Sequence, residues 1–143
     1  MRIYMDCCCL GRPFDDLSQD RIYLEAEAVL SIVTRCEKGE WTMIASGALD
    51  FELSLIPDED LLTQIHAIYS VANVRVIISK DAEQRAEELQ SQGLRTSLHV
   101  ALEEYCNADI FLTTDARLLK VASREKFSVR VENPAIWLME VTA

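Results

Sequence analysis

Short apolar runs at 2–7, 41–46, 74–78, 109–113 and 128–131 are separated by longer stretches whose apolar residues recur at helical spacing. After the first run comes a loop, Leu10-Gly11-Arg12-Pro13-Phe14-Asp15-Asp16, and then a helix with Ser18 as its cap and Asp20 in its first turn. The inward face of that helix reads Ile22, Ala26, Val29, Leu30 and Val33, and Gly39 marks its stop. A short helix behind the second run carries Ala48, Leu49, Glu52 and Leu53. The next opens at Pro57-Asp58-Glu59-Asp60 and turns Leu61, Leu62, Ile65, Ile68 and Ala72 inward. Asp81-Ala82-Glu83-Gln84 has the form of a capping box for a helix that ends at Gly93. A helix over 96–106 leads into the fourth run, one with Leu118, Leu119 and Ala122 buried leads into the fifth, and 136–141 reads as a short apolar tail. Strands alternating with helices predict an α/β fold: a three-layer α/β/α sandwich around a central parallel sheet of about five strands.

Composition narrows the class without changing that picture. A chain of 143 residues is expected to form a single domain, 1–143, with one substantial core. No apolar run approaches the ~18 residues needed to span a bilayer, and Asp6 follows the first residues too soon for a signal peptide. A cytoplasmic protein away from membranes is the expectation. Cys7, Cys8 and Cys9 are consecutive while Cys36 and Cys106 stand alone, which fits neither a zinc site nor a disulfide scaffold. These thiols are expected to be reduced. The net charge of −10 excludes nucleic-acid binding by bulk electrostatics. Any such activity must come from a local basic patch or from a cation that offsets the acids.

The acids supply the candidate chemistry. The first and fourth apolar runs each end on an aspartate, Asp6 and Asp115, and ligands of a parallel sheet bind outside the carboxyl ends of its strands. Glu52 lies about two turns into the helix that leaves the second strand from the same edge. Asp109 opens the fourth strand and so falls about 20 Å from Asp115. Glu103 and Glu104 lie ~11 Å down the helix that begins near Thr96. The cluster is therefore Asp6, Glu52 and Asp115, with Asp15 and Asp16 as outlying candidates from the first loop. Carboxylates gathered without a basic partner call for a hard divalent cation such as Mg²⁺. Each also has a plainer reading: Asp115 as a helix cap, Asp6 as the acceptor for a loop amide, Glu52 as a solvated helix residue. Arg117, Lys120 and Arg124 form a helical stripe beyond Asp115. They are the candidates for holding phosphate groups, with Arg12 and Arg95 as helpers, although such a stripe is commonly only a solvated face.

Several segments together resemble the PIN domain, in its toxin-type (VapC-like) branch. They are Arg2-Ile3-Tyr4-Met5-Asp6 with Arg12-Pro13-Phe14-Asp15-Asp16, then Ser46 with Glu52 six residues later. Leu98-His99-Val100-Ala101 and the run from Ala108-Asp109 through Thr113-Thr114-Asp115-Ala116-Arg117-Leu118-Leu119 complete the set. The resemblance covers nearly the whole chain, and the last stretch is the most specific. It implies a metal-dependent ribonuclease with an acidic cluster holding Mg²⁺ or Mn²⁺, here Asp6, Glu52 and Asp115. It also implies a small antitoxin protein as partner and a homodimer. The chain departs from the family where Thr96-Ser97-Leu98-His99 replaces an expected Asp-Ala-Leu-His, and where Ala116 stands in place of a second acid. Fewer ligand charges weaken metal binding. His99, flanked by Leu98 and Val100, is expected to be structural.

The leading expectation is thus an endoribonuclease that cleaves RNA phosphodiester bonds, the toxin of a type II toxin–antitoxin pair. Its alternative is a catalytically degenerate fold that binds a partner protein or RNA. An aspartyl phosphotransferase is disfavoured, because it would want an acid at Cys8. The helix over 18–38 and the tail over 136–141 are candidate dimer surfaces.

Overall fold

A computed structural model of the chain describes residues 1–76, 80–91, 108–124 and 127–143. Its architecture is the expected α/β/α sandwich, built on a sheet of five parallel strands in the order β3-β2-β1-β4-β5. The strands are β1 (Arg2–Met5), β2 (Thr42–Ser46), β3 (Val74–Val76), β4 (Ile110–Leu112) and β5 (Val131–Glu132). The helices are α1 (Cys7–Gly11), α2 (Asp20–Glu37), α3 (Gly47–Ser54), α4 (Glu59–Tyr69), α5 (Lys80–Ser91), α6 (Ala116–Arg124) and α7 (Pro134–Thr142). The expected helix over 96–106, the expected helix stop at Gly93 and the last residues of the third apolar run lie outside the described residues.

β1 is central because it can be buried on both faces. Ile3, Tyr4 and Met5 are all sealed from solvent, as are Ile110, Phe111 and Leu112 of β4. A continuous apolar run of this kind suits a strand covered by helices above and below. Ile3 pairs with Met43 on one side and Ile110 on the other, and Met5 faces Leu112. Tyr4 and Phe111 bring their rings to 5.3 Å. The chain leaves β1 for β2 and β3 on one flank, then returns to β4 and β5 on the other. The direction of winding reverses between β1 and β4, the place where open α/β sheets form their ligand crevice.

Local chemistry explains where the elements depart from the sequence expectation. β1 gives way to α1 at Asp6, which is itself still extended and whose carboxylate accepts the Cys9 amide to start the helix. Leu10 therefore belongs to a helix rather than to a loop, and Arg12–Phe14 follows as a single 3-10 turn with proline at its start. Ser18 is not the cap of α2. That helix starts at Asp20 after an uncapped Gln19, and the Ser18 amide donates instead to Asp16. The inward face of α2 is Ala26, Val29, Ile32, Val33 and Cys36, whereas Leu30 is 42 % exposed. Gly39 does end the segment, with φ at +80°.

The apolar tail is a helix. Asn133 accepts the Ala135 and Ile136 amides through its side chain, and Pro134 occupies the first helical position. α7 packs against α2 and buries Trp137, whose ring lies 5.0 Å from Trp41. Arg35 stacks over the same Trp41 ring at 5.1 Å. Trp137→Ala is expected to cost about 3–5 kcal/mol in urea unfolding. A loss below about 1 kcal/mol would show that α7 is not part of the cooperative core.

Candidate functional site at the carboxyl edge of the sheet

The ends of β1 and β4 build one connected polar centre. The Asp6 amide donates to the Leu112 carbonyl at 3.3 Å, which carries the β1–β4 ladder one step past the strands. Thr113, fully buried, donates its hydroxyl to Asp6 Oδ2 at 2.5 Å and accepts the Asp115 amide at 3.0 Å. One hydroxyl therefore joins the two acid-bearing turns. Asp6 is only 3 % exposed, with Oδ1 on the Cys9 amide at 3.1 Å. Asp115 is half-buried, and its Oδ1 accepts the Arg117 and Leu118 amides at 2.9 and 3.4 Å, capping α6. Glu52 sits half-buried on α3, a helix started by the Ser46 hydroxyl accepting the Leu49 amide. The plainer roles foreseen for Asp6 and Asp115 are thus both real, each taking up one carboxylate oxygen.

The acids nevertheless share one electrostatic neighbourhood. Partial burial of the thiol pushes Cys8 up to about 12, and the charges of Asp6, Asp115 and Glu52 all add to that rise. Cys7 is pushed up to about 11 by burial, then by Glu52 and Asp6. Cys9 is raised well above its ordinary value, first by burial and then by Asp6. It is buried and donates to the Leu112 carbonyl. All three thiols stay protonated at neutral pH, which makes them poor nucleophiles. Among the described residues, no group of three His, Cys, Asp or Glu side chains stands arranged as a metal cage.

A cleft of about 420 Å³ opens beside this centre. Cys7, Cys8, Arg12, Asp15, Thr114 and Asp115 form its polar wall, and Ile56, Leu61 and Ile65 form an apolar one. Arg12 lines the cleft with its guanidinium held by Asp15 and Glu25. Arg117, Lys120 and Arg124 are exposed along α6, as their stripe predicts. Asp16 points to the Ser18 amide. Asp109 sits at the opposite edge of the sheet, where its carboxylate accepts the Arg2 amide at 2.7 Å. Arg95, Thr96, His99, Glu103 and Glu104 lie outside the described residues.

One charged residue of the site escaped the sequence reading. Glu25 is 1 % exposed and paired with Arg12 at 3.0 Å and Arg21 at 3.3 Å, and it accepts Asn133 Nδ2 at 2.5 Å. Arg21 in turn reaches the Thr114 carbonyl at 3.4 Å. A signal was present: Glu25 falls four residues before Val29 and seven before Ile32, on the stripe that α2 buries.

Neither a protein-family model nor a curated protein matches the chain.

Thr113→Val keeps the shape of the side chain but removes its hydroxyl from both Asp6 and the Asp115 amide. The variant should lose about 1–3 kcal/mol in denaturant unfolding. Wild-type stability in this variant would mean that the two acid-bearing turns are not coupled through residue 113.

Proposed function

We propose that the chain is a metal-dependent endoribonuclease that cleaves RNA phosphodiester bonds, with Asp6, Glu52 and Asp115 as its acidic machinery. The observation that carries this reading is the Thr113 hydroxyl that joins the turns bearing Asp6 and Asp115 at the switch point between β1 and β4. Mg²⁺ is usually held by one or two carboxylates, several waters and the substrate's own phosphates. No closed protein cage stands among the described residues, and both Asp6 oxygens already have partners, so Asp115 at the cleft wall would carry most of such a contact. Binding of Mg²⁺ or Mn²⁺ is therefore expected to be weak alone and stronger with RNA present.

When bound, the cation supplies Lewis-acid charge for the phosphodiester and its attacking water. The chain's own groups do the positioning. Thr113 fixes the Asp6 carboxylate, and the amides that start α6 fix Asp115. Arg117 and Lys120 supply exposed cations beyond Asp115 for flanking phosphates, and Arg12 supplies one in the cleft wall.

The resemblance to the toxin-type branch of the PIN domain supports the finer reading: a cytoplasmic toxin restrained by a small antitoxin and acting as a homodimer. Exposed Tyr23, Leu24 and Leu30 on α2, with Ile136 and Met139 on the adjoining α7, give such a dimer an apolar surface.

In an RNA cleavage assay with Mn²⁺, Asp6→Asn and Asp115→Asn should each lower the rate at least about 100-fold, beyond the ~10–100-fold typical of residues that only support a metal ligand. Chelation with EDTA should abolish cleavage. Wild type cleaving no faster than these variants would end the nuclease reading.

A second reading, a binding module without catalysis, is favoured by the amide bonds that already occupy Asp6 and Asp115. Calorimetric titration with Mn²⁺ separates the two. Heat abolished by Asp115→Asn supports the nuclease, and no heat with or without RNA supports the module.

A further inference from the structure

Arg12 divides its guanidinium between two carboxylates of opposite character. Nη2 lies 3.0 Å from Glu25, whose side chain is 2 % exposed, and Nη1 lies 3.0 Å from Asp15, whose side chain is 47 % exposed. Glu25 is also gripped by Arg21 and Asn133. Pulling a buried carboxylate away from its cations strands a desolvated charge, so the Glu25 contact is the fixed one. An ion pair open to water gains little, so the Asp15 contact is the one that can yield. Arg12 and Asp15 both line the cleft beside Thr114 and Asp115. Carboxylate and phosphate oxygens take the same place on a guanidinium fork.

We propose that Asp15 is an internal stand-in for a substrate phosphate. In the free protein it covers the outer edge of Arg12, and it is displaced when an RNA phosphate enters the cleft, while Glu25 keeps hold of the other edge. The inference rests on the RNA reading above and adds a built-in competitor to it. Such a competitor lowers affinity for every RNA by the same factor, because the contact it covers is to backbone and not to base.

The test measures binding of a fluorescein-labelled single-stranded RNA oligonucleotide by anisotropy, at low salt in EDTA, so that cleavage plays no part. Asp15→Asn should bind roughly two- to fivefold more tightly than wild type, the range expected when a solvent-exposed ion pair no longer has to be broken. Asp16→Asn removes the same charge one residue away, from a carboxylate that serves the Ser18 amide, and should gain clearly less. The gain from Asp15→Asn should vanish in an Arg12→Gln background. Equal affinity of wild type and Asp15→Asn, undetectable binding by both included, overturns the proposal, and so does a gain that survives Arg12→Gln. Cleavage of the same RNA in Mn²⁺, assayed in parallel, tests the nuclease separately, since either result can fail while the other holds.

Discussion

Parallel pairing of β1 with β4 sets Met5 against Leu112, so that both strands run out of ladder at the same height. The next residues, Asp6 on one strand and Thr113 on the other, are then forced to satisfy each other. The Asp6 amide takes the Leu112 carbonyl, and the Asp6 carboxylate takes the Thr113 hydroxyl. A one-residue slip in this register would send Tyr4 and Phe111 to the opposite faces and break both bonds. The position of the acids is thus a consequence of core packing. Six fully buried apolar side chains on the two strands hold the register, and the polar centre inherits it.

Burying charge so close to a core must be offset, and this chain does so in two ways. Asp6 is held by a backbone amide and a hydroxyl, the arrangement that keeps a sealed carboxylate tolerable. Glu25 is held by two guanidiniums and an amide drawn from α2, the 3-10 turn and the start of α7. Breaking such a buried pair from one side typically costs about 3–5 kcal/mol, although a well-packed apolar replacement can be neutral. The network therefore fixes geometry more than it adds stability. It ties the cleft wall, the Thr114 carbonyl and α7 to a single point.

The sheet was legible in the sequence because its central strands are buried on both faces and show as unbroken apolar runs. Asp6 and Asp115 were legible for the same reason, since they end such runs. Elements set by side-chain caps were harder. α1 was hidden because Cys7, Cys8 and Cys9 extend the apolar run of β1. α7 was hidden because its apolar residues mask the start signal of Asn133-Pro134. Leu30 falls at helical spacing from Ile22 and Ala26, yet the buried stripe of α2 is turned the other way, toward Glu25, Ala28, Ile32 and Cys36. What apolarity cannot report is a charge buried by its partners, and Arg12 and Arg21 supply those from elsewhere in the chain.

The claim underlying all of this is that carboxylates remote in sequence act on one point at the sheet edge, and Cys8 is the natural probe of that point. Its alkylation by iodoacetamide can be followed peptide by peptide between roughly pH 7 and 11, where the rate tracks the thiolate fraction. A thiol pushed up to about 12 should show a rate still climbing at the top of that range. Asp6→Asn, Asp115→Asn and Glu52→Gln should each speed the reaction at fixed pH by removing a negative charge, and Asp109→Asn, at the far edge, should leave it unchanged. A profile that levels off near the ordinary cysteine value, or one indifferent to all three acids, would contradict the account.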